Sequence, residues 1–218
     1  KCFDEIAKRC PLIKDINVGG STFSSMQIDN KALLMLPSIF PHLTAIRLNT
    51  SRVTGQGVVS FCRTIGDRLT SLRIFEWFNT TQPLTDLHLK EISSFCPNLE
   101  RFDFYFCSRA KKARGDSMPE VFGTQGVLDL LTKCKNLKSL HLQECMDTIG
   151  MQVYEYILKN DHLLLESLFI VDHPQLYKDE TLKARLASRL SSFEVWTDQR
   201  YTKFFTSLRN NGEARPFW

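Results

Sequence analysis

An α/β solenoid built on one parallel sheet is the fold class this sequence predicts, on three observations. A pattern of apolar-x-x-apolar-x-apolar recurs along the 218 residues: Ile13, Ile16, Val18; Leu43, Ile46, Leu48; Leu69, Leu72, Ile74; Leu99, Phe102, Phe104; Leu137, Leu140, Leu142; Leu165, Leu168, Ile170; and Leu190, Phe193, Val195. Its first anchors step by 30, 26, 30, 38, 28 and 25 residues. Between the patterns, apolar residues recur three and four apart, the period of a helix with one buried stripe. Self-similarity at such a period means units that bury their apolar side only by stacking on one another, so about seven strand-turn-helix repeats are expected, with a curved sheet on the concave side and helices on the convex side.

The elements follow in order. Asp4 to Arg9, with Ile6 and Ala7, reads as the end of a helix whose own strand lies upstream, which makes a truncation at Lys1 the expectation. Asn30 to Phe40 is a helical stretch between the first two strands. Gln56 to Ile65 is the next, and Leu84-Thr85-Asp86 leads into Leu87, Leu89, Ile92 and Phe95. Gly126-Val127 leads into Leu128, Leu130 and Leu131, and Met151 to Lys159 and Glu180 to Ala187 complete the series. Thr85, Asp86 and Thr124 are residues whose side chains can accept the free N–H groups of a helix start. Residues 1–200 thus read as one solenoid, and 201–218 as its end. Tyr201, Phe204, Phe205 and Leu208 have helical spacing and suit a cap over the last repeat, followed by the aromatic tail Arg215-Pro216-Phe217-Trp218, which either folds back or is offered to a partner.

Composition bounds the function. The formal charge of +4 comes from 28 Lys and Arg against 24 Asp and Glu, too mild and too spread to point to nucleic acid. No apolar run approaches the roughly 18 residues of a membrane helix and no leader opens the chain, so a soluble protein away from membranes is expected. Cys96 to Cys107 and Cys134 to Cys145 have the same spacing because both pairs fill the same two slots of a repeat. With no Cys-x-x-Cys, no zinc spacing and an odd total of 7, the cysteines read as reduced packing residues, with no metal or other cofactor, in a cytoplasmic or nuclear protein. The sequons at Asn49 and Asn79 are accordingly read as unused. Nucleophile, zinc-protease and phosphate-loop motifs are lacking, and the five histidines are scattered, so a non-enzymatic role is expected.

Two strings carry a resemblance. Cys96-Pro97-Asn98-Leu99-Glu100-Arg101-Phe102-Asp103-Phe104 with Cys107, and Cys134-Lys135-Asn136-Leu137-Lys138-Ser139-Leu140-His141-Leu142 with Cys145, resemble the cysteine-containing class of leucine-rich repeat. Val53-Thr54-Gly55-Gln56-Gly57-Val58 and Leu84-Thr85-Asp86 are similar to the I-T-D-x-G-L helix start of that class. The other repeats carry Ser21, Ser51, Trp77, His173 and Asp198 at the cysteine position. The resemblance implies the substrate-binding part of an F-box protein in an SCF ubiquitin ligase, or a related inhibitor or scaffold without an F-box. No F-box segment is present in this sequence, so a link to the adaptor and cullin of such a ligase would run through an upstream region.

The repeat phase also places a binding face. The residue between the last two apolar positions and the residue after them point away from the core, giving one column of Asn17, Arg47, Arg73, Asp103, His141, Phe169 and Glu194 and a second of Gly19, Asn49, Phe75, Tyr105, Gln143, Val171 and Trp196. Arg and aromatic residues carry interface energy, so Arg47, Arg73, Phe75, Asp103, Tyr105, His141, Phe169 and Trp196 are the candidate partner-binding residues, for a protein partner on the concave face. A one-residue bulge within Phe75-Glu76-Trp77-Phe78 would exchange the exposed set. The 38-residue step contains a basic insertion, 108–119, whose Lys111, Lys112 and Arg114 suit an acidic partner or a nuclear-import signal, with a solvated loop and, more remotely, nucleic-acid binding as the alternatives.

Overall fold

A computed structural model describes residues 2–18, 28–49, 52–76, 83–106, 121–143, 148–171 and 173–196. The 108–119 insertion with Lys111, Lys112 and Arg114, Trp77, Cys107, Cys145, the 201–209 cap and the Phe217-Trp218 tail lie outside the described residues.

Helices and strands follow one another along the described residues, with only α7 and α8 consecutive: α1 (Cys2–Arg9), β1 (Asp15–Val18), α2 (Asn30–Ile39), β2 (Ala45–Asn49), α3 (Gly55–Ile65), β3 (Ser71–Glu76), α4 (Asp86–Phe95), β4 (Arg101–Phe106), α5 (Thr124–Lys133), β5 (Ser139–Gln143), α6 (Gln152–Lys159), β6 (Ser167–Val171), α7 (Pro174–Lys178), α8 (Glu180–Arg189) and β7 (Ser192–Trp196). The strands form one sheet in strictly sequential order, every pair parallel. Parallel neighbours need a crossover, and the described helices pack on one face of the sheet, sharing a single apolar cluster with the strands. The fold is therefore α/β and repeat-like, as the sequence predicts. No described helix is long and apolar enough to cross a membrane.

Register holds without slippage. Ile16, Ile46, Leu72, Phe102, Leu140, Leu168 and Phe193 are successive partners across the sheet. From Ile46 to Leu168 this row is buried, and it belongs to a single apolar cluster with Leu33 and Leu36 of α2, Val58 of α3, Leu89 of α4, Leu130 of α5, Ile157 of α6 and Leu186 of α8. At the two ends Ile13, Ile16, Val18, Phe193 and Val195 are only partly buried, as expected of strands with one neighbour. A backbone relay repeats beneath each strand. The carbonyl of Thr70 accepts from Glu100 and Arg101, that of Glu100 from Lys138 and Ser139, and that of Lys138 from Glu166 and Ser167.

The helix starts differ from expectation in one respect that ties repeats together. Thr54 does cap its own helix, accepting the Gly57 N–H at 3.1 Å. Asp86, however, is the first residue of α4 and reaches sideways: its Oδ1 accepts the N–H groups of Gly123 at 2.7 Å and Gly126 at 2.8 Å, at the start of α5. Thr124 likewise does not cap α5; its Oγ1 accepts the Gly150 N–H at 2.6 Å ahead of α6. Asn30 makes the same lateral move, accepting the Thr54 N–H at 3.0 Å. Gly126 is required by this closeness, because a Cβ there would lie 2.6 Å from Asp86 Oδ1. A short helix absent from the sequence expectation, α7, is started by His173, which is buried and accepts the Leu176 N–H on Nδ1 at 3.1 Å with Nε2 2.9 Å from the Ile149 carbonyl.

Candidate recognition face

Because side chains alternate across a strand, every second residue of the aligned strands forms a column on the face opposite the helices. The first expected column is in register throughout: Asn17, Arg47, Arg73, Asp103, His141, Phe169, Glu194. The second runs Asn49, Phe75, Tyr105, Gln143, Val171, Trp196. Pairing of β3 with β4 is continuous from Ser71–Arg101 to Glu76–Phe106, so the side-exchanging bulge does not occur in β3 and Phe75 stays opposite Tyr105. A third column, which the sequence reading did not name, precedes the first: Asp15, Ala45, Ser71, Arg101, Ser139, Ser167, Ser192.

At the centre of this face is a charged cluster. Asp103 has no exposed side-chain surface, yet it was expected to meet a partner directly. Its carboxylate instead accepts from Arg73 Nε at 2.6 Å and from Arg101 Nε at 2.9 and 3.0 Å. A buried carboxylate without such partners would be prohibitively costly; here it fixes two guanidiniums that are themselves partly exposed, 16% for Arg73 and 37% for Arg101. Asp103 is therefore a positioning residue under the surface. Arg101 escaped the sequence reading, although the period of two that put Asp103 on this face puts Arg101 there as well.

His141 closes the cluster on the next strand. Its Nδ1 lies 3.4 Å from Asp103 Oδ1 and 3.5 Å from Arg101 Nη2, and its Nε2 is 3.3 Å from Ser139 Oγ and 3.4 Å from Ser167 Oγ. Burial is the main cause that pushes its pKa below the ordinary histidine range; Asp103 opposes the shift, Arg101 and Arg73 add to it, and Glu194 opposes it. The neutral imidazole is thus favoured between two cations.

Aromatic side chains flank the cluster. Phe75 and Tyr105 stack with centroids 4.6 Å apart and planes 8° from parallel, and the Arg47 guanidinium lies 6.0 Å from the Phe75 ring centroid. Farther along the sheet, His141, Phe169 and Trp196 meet edge to face at 5.7 and 5.6 Å. Tyr105, expected as an exposed anchor, is only 9% exposed. Burial, and then the charge of Asp103, raises its phenol pKa, with Arg73 and Arg101 opposing. Phe75, Phe169, Trp196, Arg47, Arg73 and His141 are the partly exposed members of the expected set, while Gln143 and Val171 of the second column are buried.

On the opposite side of the sheet the cysteines form a rung. Cys62, Cys96 and Cys134 are buried and free, with the Cys96 thiol 3.7 Å from the Cys62 carbonyl and the Cys134 thiol 3.4 Å from that of Cys96. Cys2 and Cys10 depart from the buried pattern and are exposed. No group of three His, Cys, Asp or Glu among the described residues is placed to hold a metal ion. No protein-family model matches the chain.

Proposed function

We propose that this chain is a leucine-rich-repeat solenoid that acts as a protein-recognition module, the substrate-binding part of an F-box-type ubiquitin-ligase receptor, with the face opposite the helices as its concave binding surface. The observation that carries the reading is the seven-strand register: it lines up Arg47, Arg73, Arg101, Phe75 and Phe169 on one sheet face, away from the apolar cluster. Arg and aromatic side chains are the types that dominate interface energy, and a pre-formed β surface holds them at little entropic cost. The ubiquitin link rests on the repeat resemblance alone and would require an F-box outside this sequence.

The test is capture of a partner with substitutions on each face. Arg47→Glu and Phe169→Ala change partly exposed side chains and leave Asp103 paired, so each is expected to weaken capture at least tenfold while the unfolding midpoint stays put. Lys90→Glu, exposed on α4, is expected to leave both capture and the midpoint unchanged. Loss of capture with Lys90→Glu and full capture with both sheet-face variants would place the binding surface on the helices.

A further inference from the structure

We propose that the β6–β7 end of the sheet face, where the carboxylate of Glu194 stands beside the rings of Phe169 and Trp196, receives an arginine side chain of the protein partner, an inference that rests on the recognition reading above. The face is electrically divided. Among the described residues of its three columns, β2 to β4 carry Arg47, Arg73 and Arg101 against Asp103, whereas β5 to β7 carry Glu194 as their one carboxylate and no lysine or arginine. Glu194 is exposed, and no cation among the described residues pairs with it. Arg189, at the end of α8, is turned instead to the carbonyls of Asn160 and Leu163. This end of the face is left with one uncompensated negative charge on an aromatic surface.

Geometry selects the kind of cation. Phe169 and Glu194 are register partners, so ring and carboxylate stand on adjacent strands, about 4.8 Å apart along the first column. Trp196 lies two residues beyond Glu194 on the same face, and its ring meets that of Phe169 at 5.6 Å with planes 72° apart, while His141 meets Phe169 from the β5 side at 5.7 Å and 66°. Both rings are partly exposed, and the buried Val171 is the register partner of Trp196. Rings held in place by their neighbours lose little side-chain entropy when a ligand joins them. A guanidinium is planar, so it can stack on such a ring and turn its fork of N–H donors to a carboxylate in the same pose. A lysine ammonium, compact and strongly hydrated, makes the charge contact without the planar stacking. The hydroxyls of Ser167 and Ser192, register partners one column back, supply acceptors for the remaining guanidinium N–H groups. An apolar anchor fits less well, because covering Phe169 and Trp196 with it would desolvate Glu194 and leave the carboxylate unpaired.

The probes are degenerate nonapeptide libraries identical except for a fixed central arginine, lysine or citrulline, the last an uncharged isostere of arginine, with binding to the full chain followed by fluorescence anisotropy. The arginine library is expected to bind at least about tenfold tighter than the citrulline library and about threefold tighter than the lysine library. Glu194→Gln should bring the arginine library down to the citrulline level at an unchanged unfolding midpoint, since the side chain is exposed. Glu194→Arg should transfer the preference to a library centred on glutamate. Equal binding of the arginine and citrulline libraries, arginine binding untouched by Glu194→Gln, or a lysine library that binds as tightly as the arginine one overturns the proposal. A partner whose capture is lost with Arg47→Glu and kept in full with Glu194→Gln overturns the arginine assignment and leaves the recognition reading standing. Capture indifferent to Arg47→Glu and Phe169→Ala removes the recognition reading itself, whatever the libraries show.

Discussion

His141 reports on the cluster it belongs to. Its folded-state pKa is pushed down, chiefly by burial; Asp103 opposes the shift, Arg101 and Arg73 add to it, and Glu194 opposes it. A group with a depressed pKa binds its proton more readily when the chain is unfolded, so its contribution to stability is complete above the ordinary histidine value of about 6.5 and is lost as pH falls below it. Urea midpoints are therefore expected to drop between pH 7.5 and pH 5, and His141→Gln should flatten that drop. His88, whose pKa burial also lowers, titrates in the same sense, so part of the slope should survive in the variant. An identical drop in both proteins would mean that His141 is not protonation-sensitive in the folded state. The same cluster shows what the sequence could and could not disclose at this scale. Arg73, Asp103 and His141 were placed on one face by their spacing alone, since alternation is a property of the strand. That Asp103 would end up beneath two arginines was not legible, because Nε-to-carboxylate pairing depends on rotamers and on which strand lies next door.

At the scale of the element, the unit of stability is a helix start together with its neighbour. Asp86 opens α4 but spends its carboxylate on the Gly123 and Gly126 N–H groups of α5, and those donors have no intrahelical acceptor of their own. Asp86→Ala is expected to cost about 1 to 2 kcal/mol, read from the urea midpoint, with Asp86→Asn intermediate because its amide oxygen can still accept. A loss confined to α4, with α5 amides keeping their hydrogen-exchange protection, would show that Asp86 serves its own helix after all. The sequence located seven of the described helices by apolar spacing and correctly matched Thr54 to a cap-forming string. It marked Asp86 and Thr124 as cap formers but not that they serve the next repeat, because local pattern rules consider only the helix that follows a capping residue. In a repeat array the nearest unsatisfied N–H is in the next repeat, some 37 to 40 residues on for Asp86. The short α7 was missed for a related reason: His173 starts it and also meets the Ile149 carbonyl of the preceding repeat, a context no five-residue window contains.

For the molecule as a whole, the question is whether seven strands open together. Their apolar rows belong to one cluster that runs from Ile28 to Leu190, and the buried thiols of Cys62, Cys96 and Cys134 sample three successive repeats inside it. These thiols are doubly protected. Solvent does not reach them, and burial pushes the Cys134 thiol up to about 12, while the neighbouring Cys96 thiol and burial raise that of Cys62, so Cys62 and Cys134 present almost no reactive thiolate at neutral pH. Alkylation therefore requires opening of the core. In pulsed labelling with peptide-level mass spectrometry, Cys2 and Cys10 should be modified at the rate of free thiols, and Cys62, Cys96 and Cys134 together at the much slower rate of global unfolding. Simultaneous modification follows if interfaces such as the Asp86 cap and the shared backbone relay couple each repeat more strongly than any repeat is stable by itself, the condition for cooperativity in a nearest-neighbour array. Graded rates, with Cys134 ahead of Cys62 or the reverse, would instead show the array unzipping from one end, and the faster thiol would identify which end.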